Sequence, residues 1–193
     1  TKFGKVSVFS DLNNLIDISM DEPFISLCGM TEQEIHDNFE EDLHELAAAQ
    51  KMTYEEVGAE LKKYYDGYHF VENSEGIYNP FSVLNTFFKM KFGSYWFETG
   101  TPTYLVELLQ KNHYNLEQMS REETSEEVLN SIYADESPIP VIYQSGYLTI
   151  KDYDPRFENY ILGFPNREVE EGFIKFLMPF YTNVNKVESP FEI

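Results

Sequence analysis

The chain has 193 residues, 42% of them hydrophobic and 16% aromatic, and a formal net charge of −20. That apolar content supplies a buried core and argues against disorder. The balance of 34 acidic against 14 basic residues argues against nucleic acid or an anionic membrane face as the primary partner, because phosphate contacts need a basic surface. One cysteine, Cys28, rules out an internal disulfide and fits a reducing cytoplasm. No apolar run approaches the ~20 residues of a membrane span, and no signal-peptide pattern opens the sequence.

Thr1 to Phe9, TKFGKVSVF, reads as a strand, with Val6 and Val8 alternating around Ser7. A strand here, with no partner strand nearby in sequence, is expected of a piece of a longer protein; an edge strand of a small domain is the other reading. Ser10 or Asp11 then caps a short helix over Leu12 to Ile16, and Ile18 to Leu27 reads as extended or irregular, broken by Pro23. Thr31-Glu32-Gln33-Glu34 is a capping box, and Ile35, Phe39, Leu43, Leu46 and Ala47 follow at helical spacing. Thr53-Tyr54-Glu55-Glu56 is a second capping box, with Val57 and Leu61 on the apolar stripe. The two helices, joined near Lys51, form an αα-hairpin.

The second helix ends at Asp66-Gly67. Tyr68 to Phe70 and Gly76 to Tyr78 read as a small β-ribbon, within an aromatic corner that also holds Tyr64, Tyr65 and Phe81. Asn79 caps the next helix and Pro80 takes its first position, where a missing N–H costs nothing; its core face is expected to be Phe81, Leu84, Phe87 and Phe88. Phe92 to Phe97 reads as a packed connector. Thr101-Pro102 starts a helix with Tyr104, Leu105, Leu108 and Leu109 inward. His113 to Met119 is a loop, and Ser120 to Tyr133 reads as an acidic helix. Val141 to Gln144 is a helical turn closed by Gly146, Tyr147 to Ile150 a strand, Asp154-Pro155 a turn, and Tyr160 to Phe164 the returning strand. Asn166 caps the last helix, which carries Val169, Phe173, Phe176, Leu177 and Phe180 on one face and is expected to kink or end at Pro179. The fold class is therefore α+β and mostly helical. Helices over 121–145, a hairpin and a helix follow the order of a winged-helix module with the hairpin as wing.

The sequence lacks a G-x-x-x-x-G-K-[ST] loop, H-E-x-x-H, G-x-S-x-G and any Cys/His set at zinc spacing. His36, Glu40 and His44 share one helical face, but three ligands on one straight helix do not converge on an ion; the plainer reading is a solvated face. Asp66, His69 and Glu72 are an acid/base candidate at the aromatic corner. The plainer reading gives Asp66 to the turn and His69 to a backbone carbonyl. Glu171 and Lys175 resemble a nuclease pair but lie on a helix where a strand is wanted, so that reading is set aside. Arg167, opening the last helix, is the best isolated basic candidate for a bound phosphate; an ion pair with Glu168, Glu170 or another acid is the plainer alternative.

Five strings, TKFGKVSVFSDLNNLIDIS, YYDGYHF, IYNPFSVLNTF, YQSGYLTI and LGFPNREVEEGF, occur in this order across nearly the whole chain. Together they resemble the bacterial AAA-ATPase-like family, in which a P-loop ATPase-like domain precedes a PD-(D/E)XK nuclease-like domain. The resemblance implies that 1–118 is the end of the ATPase-like core plus a helical lid, and 119–193 a winged-helix-like module. It implies ATP and Mg held by an N-terminal core upstream of Thr1, a nuclease-like domain downstream of Ile193, and no cofactor, catalytic residue or metal in this chain itself. Lys2, Lys5, Asn13 and Arg167 are the positions that would touch a nucleotide bound to that core. The alternative is an acidic protein-interaction module with no nucleotide role.

Overall fold

The structure is a computed structural model that describes residues 18, 20–97, 103–115, 119, 121–131 and 137–182. The expected first strand, its following helix and the Thr101 cap lie outside those residues, as does Phe180's side chain.

Both capping boxes form. Thr31 accepts from the Glu34 N–H while Glu34 answers to the Thr31 N–H, starting α1 (Glu32–Asn38); Thr53 and Glu56 do the same for α3 (Tyr54–Tyr65). Each box satisfies two otherwise orphaned N–H groups. The stripe expected to be one helix is two. Phe39 leaves helical geometry (φ −127°, ψ 29°), stacks its ring on Phe87 at 5.4 Å between centroids, and starts α2 (Glu40–Gln50). Lys51, in the left-handed region at φ 57°, turns α2 into α3. Pro23 breaks nothing: it sits inside a 3-10 turn at Glu22–Phe24.

Past α3 the expected ribbon shrinks to single bridges. Tyr68 pairs with Ile77 and Tyr78 with Met30, so the corner is pinned from two sides without a regular strand pair. Asn79 Oδ1 then accepts from the Phe81 N–H and Pro80 opens α4 (Pro80–Lys89). The inward face of α4 is not the one expected. Ser82, Val83, Thr86 and Phe87 are buried, whereas Phe81, Leu84 and Phe88 are 46%, 45% and 86% exposed. Thr86 goes in where Tyr65 offers a hydrogen-bond partner, its Oγ1 lying 2.7 Å from the Tyr65 hydroxyl; Ser82 is buried one turn earlier, its hydroxyl without a partner among the described residues. Ile35, Leu43, Leu46, Val57, Leu61 and Val83 make the core of this helical unit.

The second core belongs to a different topology. α5 (Thr103–Lys111) is followed by β1 (Glu122–Ser125), α6 (Glu126–Asn130), α7 (Ile139–Gln144), β2 (Thr149–Asp154), β3 (Asn159–Gly163) and α8 (Arg167–Thr182). The sheet is antiparallel in the order β1-β3-β2, so the chain carries a winged-helix-like module with the β2–β3 hairpin as wing. β1 replaces the first part of the expected acidic helix. Glu122 to Ser125 pair with Leu162 to Asn159, and sheet pairing overrides the helical preference of two glutamates. β2 also starts two residues later than expected. Tyr104 faces solvent, while Leu105, Val106, Leu108 and Leu109 of α5 join Leu129, Ile142, Leu148, Leu162 and Phe173 in the core. α8 does not stop at Pro179 but runs on to Thr182.

A candidate site at the joint between the two cores

The two cores meet around the aromatic corner, through ties of four kinds. The Thr149 hydroxyl of β2 accepts from the His69 N–H at 2.7 Å and lies 2.9 Å from the His69 carbonyl. The Trp96 N–H donates to Glu168 Oε1 at 2.8 Å, into the buried start of α8. Gly67, at φ 100°, passes so near the chain that a Cβ there would sit 2.3 Å from the Pro165 carbonyl; only glycine fits both the backbone and the gap. Lys151, the extra residue of a bulge in β2, donates to that same carbonyl at 3.0 Å.

The fourth tie is Arg167. Its Nε donates to Glu171 Oε1 at 2.6 Å along α8, its NH1 lies 3.4 Å from Glu60 Oε1 on α3, and its guanidinium sits 4.9 Å from the centre of the Tyr64 ring. The hydrogen bond to Glu171 raises the Arg167 pKa and lowers that of Glu171. Arg167 thus bridges α3 and α8. The notch beside it also takes Lys63 and Glu170. Counting Glu60, three carboxylates face two cations, an arrangement set for holding the arginine and not, as it stands, for a phosphate. Lys2, Lys5 and Asn13 lie outside the described residues.

Asp66 and His69 lie near enough for each to feel the other's charge, but no hydrogen bond among the described residues joins Asp66, His69 and Glu72. Asp66 is buried beneath Gly76, where a Cβ would lie 2.5 Å from Oδ1, and that oxygen has no hydrogen-bond partner. Burial raises its pKa, against the Gly67 N–H and the Lys62 charge. His69 Nδ1 sits 3.0 Å from the Ser74 carbonyl, and burial, helped by the Lys151 charge, lowers its pKa. Since a carbonyl only accepts, Nδ1 carries the proton and Nε2 is left as an acceptor. Glu72 is exposed. On the α1–α2 side, His36 and His44 both pack against the Tyr54 ring, with His36 Nδ1 2.7 Å from its hydroxyl. Among the described residues no set of three His, Cys, Asp or Glu is arranged to hold a metal. Glu171 and Lys175 form an exposed ion pair at 3.6 Å on α8.

Inside the joint lies a cavity of about 430 Å³. Three of the strings noted above supply most of its wall: Tyr68 to Phe70 from the corner, Ile77 to Pro80 before α4, and Tyr143 to Thr149 apart from Tyr147. Met20, Cys28, Gly29, Trp96, Leu129 and Asn130 complete it. Gly146, at φ 81°, makes the turn after α7, beside Tyr68 and Trp96. None of these wall residues was singled out from the sequence as a site except His69. The available signal was the recurrence of aromatic–glycine strings far apart in the chain, which fold onto one another.

No family model matches the chain, and no solved structure matches it. The chain is similar to the "Uncharacterized protein in vnfD 5'region" of Azotobacter chroococcum mcd 1, with 37% identity over 176 residues, covering 88% of this chain and 31% of that protein. The chain therefore spans about a third of the length of the relative it matches. The relative's name carries no activity. Among the described residues no helix is long and apolar enough to cross a membrane.

Proposed function

We propose that this chain is the lid and winged-helix region of a cytoplasmic, nucleotide-driven protein, coupling the nucleotide state of an upstream ATPase-like core to a downstream nuclease-like domain. The observation that carries this reading is the joint. A helical unit and a winged-helix-like module follow in the order the family resemblance implies, and Arg167 spans them from α8 to Glu60 of α3. The greater length of the relative supports further domains on the same polypeptide. ATP and Mg would be held by the upstream core; the chain's own part is to present Arg167. In the present arrangement two carboxylates hold the guanidinium, and a phosphate would have to displace Glu60, the longer of the two contacts, to engage it. That exchange would release α3 from α8 and so turn nucleotide state into a change at the joint.

Direct binding of this chain to nucleic acid is not part of the proposal. α7, where a winged-helix module places its reading helix, is six residues long and buries Ile139, Pro140, Val141 and Ile142. The charge of −20 opposes phosphate contacts as well. Arg167→Ala in the full-length protein tests the reading: nucleotide affinity or hydrolysis should fall at least tenfold, and Arg167→Lys should restore only part. Unchanged affinity and hydrolysis would remove Arg167 from nucleotide sensing.

A second reading, an acidic protein-interaction module, is favoured by one observation. Phe81, Leu84 and Phe88 leave an apolar stripe on the outside of α4. If that stripe binds a partner protein, the triple serine variant loses the partner while nucleotide handling stays intact.

A further inference from the structure

We propose that the cavity at the joint is a binding site for an uncharged, flat nitrogen heterocycle about the size of a nucleobase or nucleoside. Its volume of about 430 Å³ falls in the range of small-molecule sites, ~300–1,000 Å³. The chemistry of the wall sets the class. In a chain with 48 charged residues (34 acidic, 14 basic), not one Asp, Glu, Lys or Arg among the described residues lines it. Tyr68, Phe70, Tyr78, Trp96 and Tyr143 do, and aromatic faces take flat rings by offset stacking. A charged ligand would lose its hydration there with no counter-ion to replace it.

Polar selectivity comes from His69. Its Nδ1–H is committed to the Ser74 carbonyl and its backbone is clamped on both sides by Thr149. The ring is therefore fixed as the tautomer whose Nε2 accepts. A ligand that donates an N–H to this wall fits better than a hydrocarbon of the same shape. The cavity lies between the cores, so an occupant would bear on both, and this holds whether or not Arg167 senses a nucleotide.

Two built-in reporters allow a direct test. Trp96 is the sole tryptophan, and Cys28, the sole cysteine, is exposed at the wall. The chain is titrated with adenosine, cytidine and indole as uncharged probes and with benzoate as an anionic flat control. At least one uncharged probe should change Trp96 fluorescence saturably and slow Cys28 alkylation at least fivefold at saturation. Benzoate should do neither. His69→Phe, which keeps a ring and removes the acceptor, should weaken that probe about tenfold. Ser145→Phe should abolish both responses at an unchanged urea midpoint. Should that variant unfold, capping Cys28 of the natural chain with N-ethylmaleimide should abolish the fluorescence response. Silence from all three uncharged probes, an equal response to benzoate, or responses that survive a filled cavity would overturn the proposal.

Discussion

Replacing Tyr65 by Phe removes one oxygen from the centre of the helical unit. The Tyr65 side chain is fully buried, at 0% exposure. Its hydroxyl donates to the Gly93 carbonyl at 3.0 Å, accepts from the Gly93 N–H at 3.0 Å, and lies 2.7 Å from Thr86 Oγ1. Burial raises the phenol's pKa, so it stays protonated and able to donate. The volume barely changes, so no cavity term arises. The loss is that of polar groups left without partners, about 1–3 kcal/mol for each group fully stranded. Thr86 keeps the Ser82 carbonyl at 2.9 Å, and Gly93 is half-buried, within reach of water. The expected cost is therefore about 2–3 kcal/mol, below the ~3–9 kcal/mol of three fully stranded groups because none of the three is fully stranded. Urea unfolding should show a lower midpoint with the same slope. The double variant with Thr86→Val should cost less than the sum of the single changes, because both remove one contact. A loss under about 0.5 kcal/mol, the scale of an inconsequential surface change, would mean that this network does not hold α3 against α4.

Other expectations follow from the same contacts. Thr31→Ala and Thr53→Ala should each cost about 1 kcal/mol, and serine at either place should restore most of it, measured by thermal unfolding. Gly67→Ala should be strongly destabilising, through a φ of 100° and a Cβ 2.3 Å from the Pro165 carbonyl. By contrast, Gly58→Ala, in mid-helix with only His36 Cε1 at 4.0 Å, should stabilise by about 0.5–1 kcal/mol. His69 has a folded pKa below the ordinary 6.5, so its share of stability is complete above that value and is lost as pH falls through the folded pKa. His69→Gln should flatten the decline of the urea midpoint on the acid side of 6.5. Asp66, raised above 3.8, works in the opposite sense: its ionisation costs stability as pH climbs through its folded pKa, and Asp66→Asn should remove that slope.

Where local chemistry decided the structure, the residues announced it. Both capping boxes, the Asn79-Pro80 helix start, the Gly67 and Gly146 turns and the Asn166 cap are interactions within a few residues, and each is where the motif says. The larger failures needed a distant partner. α4 turns Thr86 inward, against the Tyr65 hydroxyl, and leaves Phe81 and Leu84 outside, and helical spacing alone cannot see a hydroxyl from another helix. Glu122 to Ser125 become a strand because β3, some forty residues on, has a free edge for them. The Arg167 ion pairs were half legible: Glu171 lies one helical turn away, but Glu60 is reached across the joint. The cavity was the least legible feature, since its wall is drawn from stretches that no periodicity links.

The most direct test of the lid and winged-helix account is amide hydrogen exchange on the full-length protein with and without Mg-ATP. If nucleotide state is relayed through this region, ATP should alter exchange at the joint, in the last turns of α3 around Glu60 and the first turn of α8 around Arg167, and Arg167→Ala should erase that difference. ATP that leaves exchange in α3 and α8 unchanged while binding elsewhere in the protein would contradict the account.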